Sequence, residues 1–264
     1  PTASAACAAG VDAILIGDSL ATIALGRPDT LDLSLPEMAL HAASVASAAG
    51  HRAFLIADLP MGSYEASPAD AVRAALHLVR RGRVHAVKLE GGADMAPTLA
   101  RVVAAGVPVL AHVGLTPQRM HALGGFRVQG KTRAAACRVL RDAEAVQAAG
   151  AWGVVLEAVP PAVAALVTRR LRIPSIGIGA GPACSGQVLV QADLTGASPP
   201  TTEKRAAPAF VKRFGDVWGE AHRAIAAYRD EVRAGTYPAA EHTYGMPAEE
   251  WDEFRRAVGE PENP

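Results

Sequence analysis

Short apolar runs that end at a polar or charged residue recur along the chain, and this repetition constrains the fold more than any other feature. Gly and Pro bound the runs and helix-like segments separate them, which is typical of buried parallel strands in repeated βα units. In a barrel of such units, the carboxyl ends of the strands converge on one pocket. We therefore predict an α/β fold, a (β/α)8 TIM barrel, with strands at residues 13–17, 54–57, 86–87, 109–111, 153–156, 175–178 and 188–190.

The polar residues at or just after these runs are the candidates for a functional site. They are Asp18, Ser19, Asp58, Lys88, Glu90, His112, Glu157 and Asp193. The seven runs are one fewer than the eight strands of a closed barrel. Because residues 2–9 already have helical composition, we expect the first strand to be missing from this chain and to precede Pro1.

Length and charge balance favour one domain that binds a small molecule. A chain of 264 residues suits a single α/β barrel, so we assign residues 1–264 to one domain. The 26 basic and 26 acidic residues balance, which argues against a nucleic-acid partner or an anionic membrane surface. The three cysteines form no CxxC pair, and no apolar stretch reaches the length of a membrane span. These features predict a cytoplasmic protein without a membrane partner.

The segments between the runs carry helix boundary signals. Ser67 stands in the N-cap position before Pro68, and glycines stand at the ends of several segments. The predicted helices span residues 2–9, 35–49, 68–81, 96–105, 133–149, 161–171, 217–234 and 247–258.

Three segments depart from the βα alternation. Residues 114–131 form a long, glycine-punctuated connection, which predicts a loop that covers the pocket. Residues 197–207 are rich in Ser, Thr, Pro and Lys and are predicted to be an irregular loop, and residues 243–264 form a charged C-terminal extension.

Asp18, Asp58 and Glu90 end three successive runs. Carboxylate oxygens are the ligands that a hard cation such as Mg²⁺ prefers, and the ion would relieve the repulsion among three acids. The alternative for each acid alone is a helix cap or an ion pair with a nearby Lys or Arg. Three acids in consecutive units favour the metal site.

Glu157 and Lys88 are candidates for proton transfer and anion binding. Glu157 follows the apolar run 153–156, where desolvation would raise its pKa and make it a general base; the alternative is an acidic residue at the start of a helix. Lys88 lies two residues before Glu90, on the same face of the strand. It would neutralise a substrate carboxylate, although a structural ion pair is an equally ordinary role.

The other motifs are weaker signals. Ser19 would bind an anionic oxygen or cap a helix, and a lone His112 is more often structural than catalytic. The stretch 177–181 lacks the spacing of the known phosphate-binding loops, and we interpret its glycines as points where the backbone approaches a ligand closely.

These motifs occur in the order seen in ketopantoate hydroxymethyltransferases, and the chain resembles that family from about residue 1 to residue 242. The matching segments are Leu15-Ile16-Gly17-Asp18-Ser19, Ala57-Asp58-Leu59-Pro60, Val87-Lys88-Leu89-Glu90-Gly91-Gly92, His112-Val113-Gly114-Leu115-Thr116-Pro117-Gln118, Gly124-Gly125 through Val128-Gln129-Gly130, Leu156-Glu157, Ile176-Gly177-Ile178-Gly179-Ala180-Gly181, and Gly235-Thr236-Tyr237-Pro238 with Glu241-His242.

The resemblance implies a (β/α)8 barrel of the phosphoenolpyruvate/pyruvate superfamily and a defined reaction. The family transfers a hydroxymethyl group from 5,10-methylenetetrahydrofolate to 3-methyl-2-oxobutanoate, giving 2-dehydropantoate for pantothenate and coenzyme A synthesis. It also implies Mg²⁺, a cytoplasmic setting and a homo-oligomer, commonly a decamer. By motif, the Mg²⁺ ligands are Asp18, Asp58 and Glu90, the substrate-binding residues are Asp18, Ser19, Asp58, Lys88 and His112, and the general base is Glu157.

The chain departs from the family pattern at Met61, where a Phe is usual, and between residues 195 and 207. Two alternatives therefore stand beside the transferase. One is a catalytically silent or truncated relative that binds a 2-oxo acid without turnover. The other is a carbon–carbon lyase of the same superfamily, although the KKCGH-like segment typical of those lyases does not occur here.

Overall fold

The computed structural model describes residues 1–199 and 208–260, and its centre is a parallel β-sheet. Seven strands hydrogen-bond in sequence order, with β1 and β7 at the two ends of that order. They are β1 Ala13–Ile16, β2 Phe54–Asp58, β3 Ala86–Glu90, β4 Val109–Gly114, β5 Gly153–Glu157, β6 Ser175–Ile178 and β7 Gly186–Gln187. Every neighbouring pair is parallel, as the βα repeat predicts.

Helices occupy the connections between the strands. They are α1 Thr2–Ala8, α2 Leu20–Ile23, α3 Leu35–Ala49, α4 Pro68–His77, α5 Ala96–Ala104, α6 Met120–Leu123, α7 Arg133–Ala148, α8 Pro161–Arg170, α9 Gln191–Thr195, α10 Val217–Ala234 and α11 Ala248–Ala257. A π-helical turn at Leu78–Gly82 extends α4, and short 3-10 turns lie at Pro117–Arg119 and Ala240–His242.

The helix starts confirm the boundary signals in the sequence. The Ser67 side chain accepts a hydrogen bond from the backbone N–H of Asp70 at the start of α4, as predicted. Ser34 and Glu37 form a reciprocal capping box at the start of α3. These bonds satisfy backbone donors that the first helical turn leaves free.

The alternation of side chains along each strand separates two apolar layers. Residues on one face pack against the helices, where the larger cluster includes Leu55, Leu89 and Val154. Residues on the other face form a second cluster of Ile56, Ala86, Leu110 and Val155. Because successive side chains point to opposite faces, the polar residues two positions beyond these four lie on the same inner face.

The strand prediction at residues 188–190 is wrong. Pairing with β6 is confined to Gly186–Gln187, and the Val188 N–H makes one further bond to the Gly177 carbonyl before α9 begins at Gln191. An apolar run does not by itself specify its hydrogen-bonding partner. Asp193 consequently lies within α9 and not at a strand end.

The remaining segments lie at the C-terminal side of the chain. Of the predicted irregular loop 197–207, residues 200–207 lie outside the described residues. The C-terminal extension contains α11, and its last four residues, 261–264, are also outside them. Among the residues that the structure describes, no helix has the length and apolar character needed to cross a membrane.

Candidate active site

The inner-face alternation brings five of the predicted polar residues to the carboxyl end of the sheet. Asp58 follows Ile56 on β2, Lys88 and Glu90 follow Ala86 on β3, His112 follows Leu110 on β4, and Glu157 follows Val155 on β5. The strand register pairs Asp58 with Lys88 and Glu90 with His112. Residues that are more than 20 positions apart in the sequence thus become lateral neighbours on adjacent strands.

Asp18 joins this group from the turn after β1. Its backbone N–H donates a hydrogen bond of 2.9 Å to Asp58 Oδ2. The other oxygen of that carboxylate, Oδ1, lies 3.1 Å from Lys88 Nζ. Asp58 and Lys88 are 2% and 5% exposed, so this ion pair is shielded from water. The structure therefore shows the ion-pair role of Lys88 that the sequence left open.

His112 links the lysine to the predicted base. Its Nδ1 atom lies 3.2 Å from Lys88 Nζ and 3.6 Å from Glu90 Oε1. Its Nε2 atom lies 3.1 Å from Glu157 Oε2, although the pair is not aligned for a hydrogen bond. The arrangement makes His112 a central contact of the pocket.

The pKa values of Asp58, Glu90 and Lys88 are all raised, the acids' by burial and the lysine's by the neighbouring negative charges. Desolvation raises the pKa of Asp58 to about 6, although the nearby Lys88 charge opposes the rise. Desolvation likewise raises the pKa of Glu90 to about 8; the Lys88 charge opposes the rise, and the charges of Asp18 and Asp58 add to it. Burial alone would lower the pKa of Lys88, but the charges of Asp58 and Glu90 outweigh it and raise that pKa. Lys88 is therefore charged.

The charge of Lys88 fixes the state of His112. Burial, followed by the lysine charge, lowers the pKa of His112, which favours the neutral imidazole. A charged ammonium has no acceptor, so it donates to Nδ1, and the ring proton must lie on Nε2. That nitrogen lies 3.1 Å from Glu157 Oε2, without alignment for a hydrogen bond.

Glu157 sits at the rim of the buried group, with 15% of its side chain exposed. A close backbone approach positions it: a Cβ atom at Gly114 would lie 2.4 Å from the Glu157 carbonyl oxygen, so only glycine fits there. The next residue, Ala158, has a φ of 48°, an uncommon conformation for a residue with a side chain. Backbone bonds from Ala158 N–H to Ile178 and from Gln129 N–H to Ala158 hold it.

The donor set of the three acids fits a hard cation. Asp58 Oδ1 and Glu90 Oε1 are buried and, among the described residues, have no aligned hydrogen-bond donor. Oxygen atoms left in this way are suited to Mg²⁺. As they stand, the described side chains include no group of three His, Cys, Asp or Glu that closes around a metal position. Instead, the Lys88 ammonium group forms an ion pair with Asp58 Oδ1.

Two weaker predictions have different outcomes. Ser19 is half-buried at the start of α2 and makes no capping bond with its side chain, so its hydroxyl is not committed to that helix. The interpretation of the 177–181 glycines as a ligand contact stays a prediction, and protein packing gives a further reason for them. A Cβ at Gly179 would lie 2.6 Å from the Phe210 ring, and one at Gly181 2.7 Å from Pro161, so protein packing requires both glycines.

Two residues of the site, Tyr64 and Gln118, had no predicted role. Both are almost fully buried. The Gln118 side chain donates to Asp18 Oδ2 at 2.9 Å, and the Tyr64 hydroxyl donates to Gln118 Oε1 at 2.7 Å. The predicted covering loop thus reaches the carboxylates through its first turn. The only sequence signal was the position of Gln118 in a long connection after a strand-end histidine.

Comparisons with known proteins give a consistent result. The family model described as ketopantoate hydroxymethyltransferase matches residues 1–240. The chain is 55% identical over 260 residues to a 3-methyl-2-oxobutanoate hydroxymethyltransferase of Emericella nidulans, covering 98% of this chain and 73% of that protein. It is 49% identical over 256 residues to a protein of the same name from Oleidesulfovibrio alaskensis, covering 96% of this chain and 86% of that protein.

Solved structures show the same fold at low identity. The phosphoenolpyruvate phosphomutase from Streptomyces platensis subsp. rosaceus matches with a TM-score of 0.55 at 18% identity, covering 97% of this chain and 90% of that one. Together with the parallel sheet in sequence order, this likeness confirms the predicted α/β barrel class.

The raised pKa of Glu90 makes a prediction about stability. A carboxyl whose folded pKa of about 8 exceeds its unfolded value stabilises the fold at low pH, and this contribution is lost as pH rises through about 8. Between pH 5 and pH 9, the free energy of unfolding of the wild type should therefore fall relative to Glu90→Gln, by at most about 1.4 kcal/mol per pH unit. Urea denaturation in buffer with a chelator measures this difference. Parallel pH profiles of the two proteins would contradict it.

Proposed function

Because the chain belongs to the ketopantoate hydroxymethyltransferase family, we propose that it transfers a hydroxymethyl group from 5,10-methylenetetrahydrofolate to 3-methyl-2-oxobutanoate, giving 2-dehydropantoate. The observation that carries the proposal is the cluster of strand-end acids, Lys88, His112 and Glu157 within a chain whose relatives bear that name. The two relatives named above carry the transferase name and not that of a lyase. Cytoplasmic location and homo-oligomeric assembly stay predictions from the resemblance.

The charges of the pocket suit a 2-oxo acid. Asp18, Asp58 and Glu90 would hold Mg²⁺ through their carboxylate oxygens. When bound, the ion would supply Lewis-acid stabilisation of negative charge on the keto oxygen. Lys88 keeps a buried positive charge at the same place, and its contact with Asp58 orients it. The ammonium group would balance the carboxylate of the substrate, while Ser19 offers a hydroxyl at the rim.

Proton removal from C3 of the substrate is assigned to Glu157. Its carboxylate is partly exposed and can reach a ligand in the pocket, whereas Asp58 and Glu90 are enclosed. In this step the C3 proton moves to a Glu157 oxygen, and the electrons of the C–H bond form the enolate. The Nε2 atom of neutral His112 lies 3.1 Å from the same carboxylate, and its N–H would orient the carboxylate once the two groups align, without giving up a proton.

The carbon–carbon bond then forms between C3 of the enolate and the methylene carbon of the folate. That carbon loses its bonds to the folate nitrogens, and the overall exchange consumes one water, whose oxygen becomes the new hydroxyl group. The turn Pro117–Arg119 covers the carboxylates through Gln118. It would keep further water from the reacting carbon during bond formation.

The proposed activity has a direct test. Purified protein supplied with Mg²⁺, 3-methyl-2-oxobutanoate and 5,10-methylenetetrahydrofolate should form 2-dehydropantoate, detected by mass spectrometry. Omission of the folate or addition of a chelator should abolish product. Mg²⁺-dependent binding of the keto acid without any product would identify a silent binding protein and contradict the proposal.

Glu157→Gln separates binding from proton transfer. The amide keeps the size of the side chain but cannot accept the C3 proton, so exchange of that proton with deuterium should fall by about 100-fold or more. Binding of the keto acid should change only a few-fold. NMR in D₂O measures the exchange, and Glu144→Gln, at a side chain 42% exposed on α7, is the matched control. Normal exchange in Glu157→Gln would place the base elsewhere.

A further inference from the structure

Gln118 occupies an unusual place for an amide side chain. It lies in the 3-10 turn Pro117–Arg119, directly after β4, and is the buried residue of that turn. Its exposed fraction is 2%. Burial of a polar amide is unfavourable unless its donors and acceptor are satisfied, so its partners indicate what holds it there.

Every polar group of Gln118 that faces the site has a partner from a different element. The side-chain Nε2 donates to Asp18 Oδ2 at 2.9 Å and to the Leu59 carbonyl at 3.0 Å. The backbone N–H donates to Glu90 Oε2 at 3.0 Å. One residue thus connects the segments that follow β1 and β2 with the end of β3.

Tyr64 determines which way the amide faces. Its hydroxyl lies 2.7 Å from Gln118 Oε1 and receives a longer bond of 3.3 Å from the Glu90 backbone N–H. Burial raises the pKa of Tyr64, so the hydroxyl keeps its proton and donates it to the nearer acceptor. If the amide were rotated by half a turn, Oε1 would face Asp18 Oδ2 and the Leu59 carbonyl, which are also acceptors.

The hydrogen bonds from Gln118 occupy one carboxylate oxygen of Asp18 and one of Glu90. Asp18 uses Oδ2 and Glu90 uses Oε2, while the buried Glu90 Oε1 has no aligned donor among the described residues. Donors that fix one oxygen of a carboxylate set the direction of the other oxygen and reduce repulsion between the two acids. Groups that hold metal ligands in this way typically change metal affinity by about 10–100-fold when they are removed.

We propose that Gln118 is a positioning residue that orients Asp18 and Glu90 for a divalent cation, and that the Tyr64 hydroxyl in turn fixes the Gln118 amide. The inference rests on the proposed function, since it assigns the cation site of that reaction. It adds two residues outside the acids themselves. It also gives the connection after β4 a role in assembling the site before substrate binds.

Gln118→Met tests the role of the amide because it keeps a long side chain and removes both side-chain donors. Mn²⁺ is the probe, and electron paramagnetic resonance of free Mn²⁺ in the absence of substrate measures its affinity. The dissociation constant should rise about 10–100-fold in Gln118→Met. Tyr64→Phe keeps the ring packing and should raise the dissociation constant by a smaller factor than Gln118→Met does, because the amide remains but is no longer fixed.

Gln129→Met is the matched control, since Gln129 lies in the same connection and, among the described residues, its half-buried side-chain amide donates to the Arg127 carbonyl and to none of the acids of the site. Its Mn²⁺ affinity should equal that of the wild type. Thermal unfolding with a chelator shows whether each variant is folded. If Gln118→Met and Tyr64→Phe are less stable but bind Mn²⁺ as tightly as the wild type, their role is structural and the inference is overturned. A wild type that binds no Mn²⁺ would instead contradict the metal site of the proposed function, and this inference with it.

Discussion

The burial of three acids, Asp18, Asp58 and Glu90, around the Lys88 ammonium group determines the charge balance at the carboxyl end of the sheet. Removal of an ionised carboxylate from water costs several kcal/mol even after relaxation, so each acid here needs a counter-charge, a donor or a proton. Asp58 has Lys88 and the Asp18 N–H, and Glu90 has the Gln118 N–H. The raised pKa values of Asp58 and Glu90 show that these partners compensate the burial only in part.

The incompletely compensated negative charge of these acids gives the proposed chemistry its physical basis. A 2-oxo acid carries its own carboxylate, which the ionised acids of the pocket would repel unless a cation were added. A divalent ion would remove the repulsion among the acids and attract the substrate through the same charge. The one acid that is not enclosed, Glu157, faces a histidine kept neutral by burial and by Lys88. In the proposed function, the cluster would therefore separate the acids that hold a cation from the acid that accepts a proton.

Much of this arrangement could be predicted from the sequence because it follows from two regular features. Parallel strands align their carboxyl ends, and the two-residue alternation then places Asp58, Lys88, Glu90, His112 and Glu157 on one face. The contacts of Tyr64 and Gln118 could not be predicted, since both belong to irregular segments whose course depends on tertiary packing.

The last strand was predicted at the wrong residues for a related reason. Apolar residues 188–190 resemble a strand, but the ladder depends on where β6 has free partners, and that is at Gly186–Gln187.

Isothermal titration of 3-methyl-2-oxobutanoate into the wild-type protein tests most directly whether the buried acids form a cation-dependent substrate site. We expect binding at one site per chain in the presence of Mg²⁺. With a chelator in place of the metal, the affinity should fall at least 10-fold, because uncompensated acids repel the substrate carboxylate. Equal affinity with and without Mg²⁺ would contradict the account.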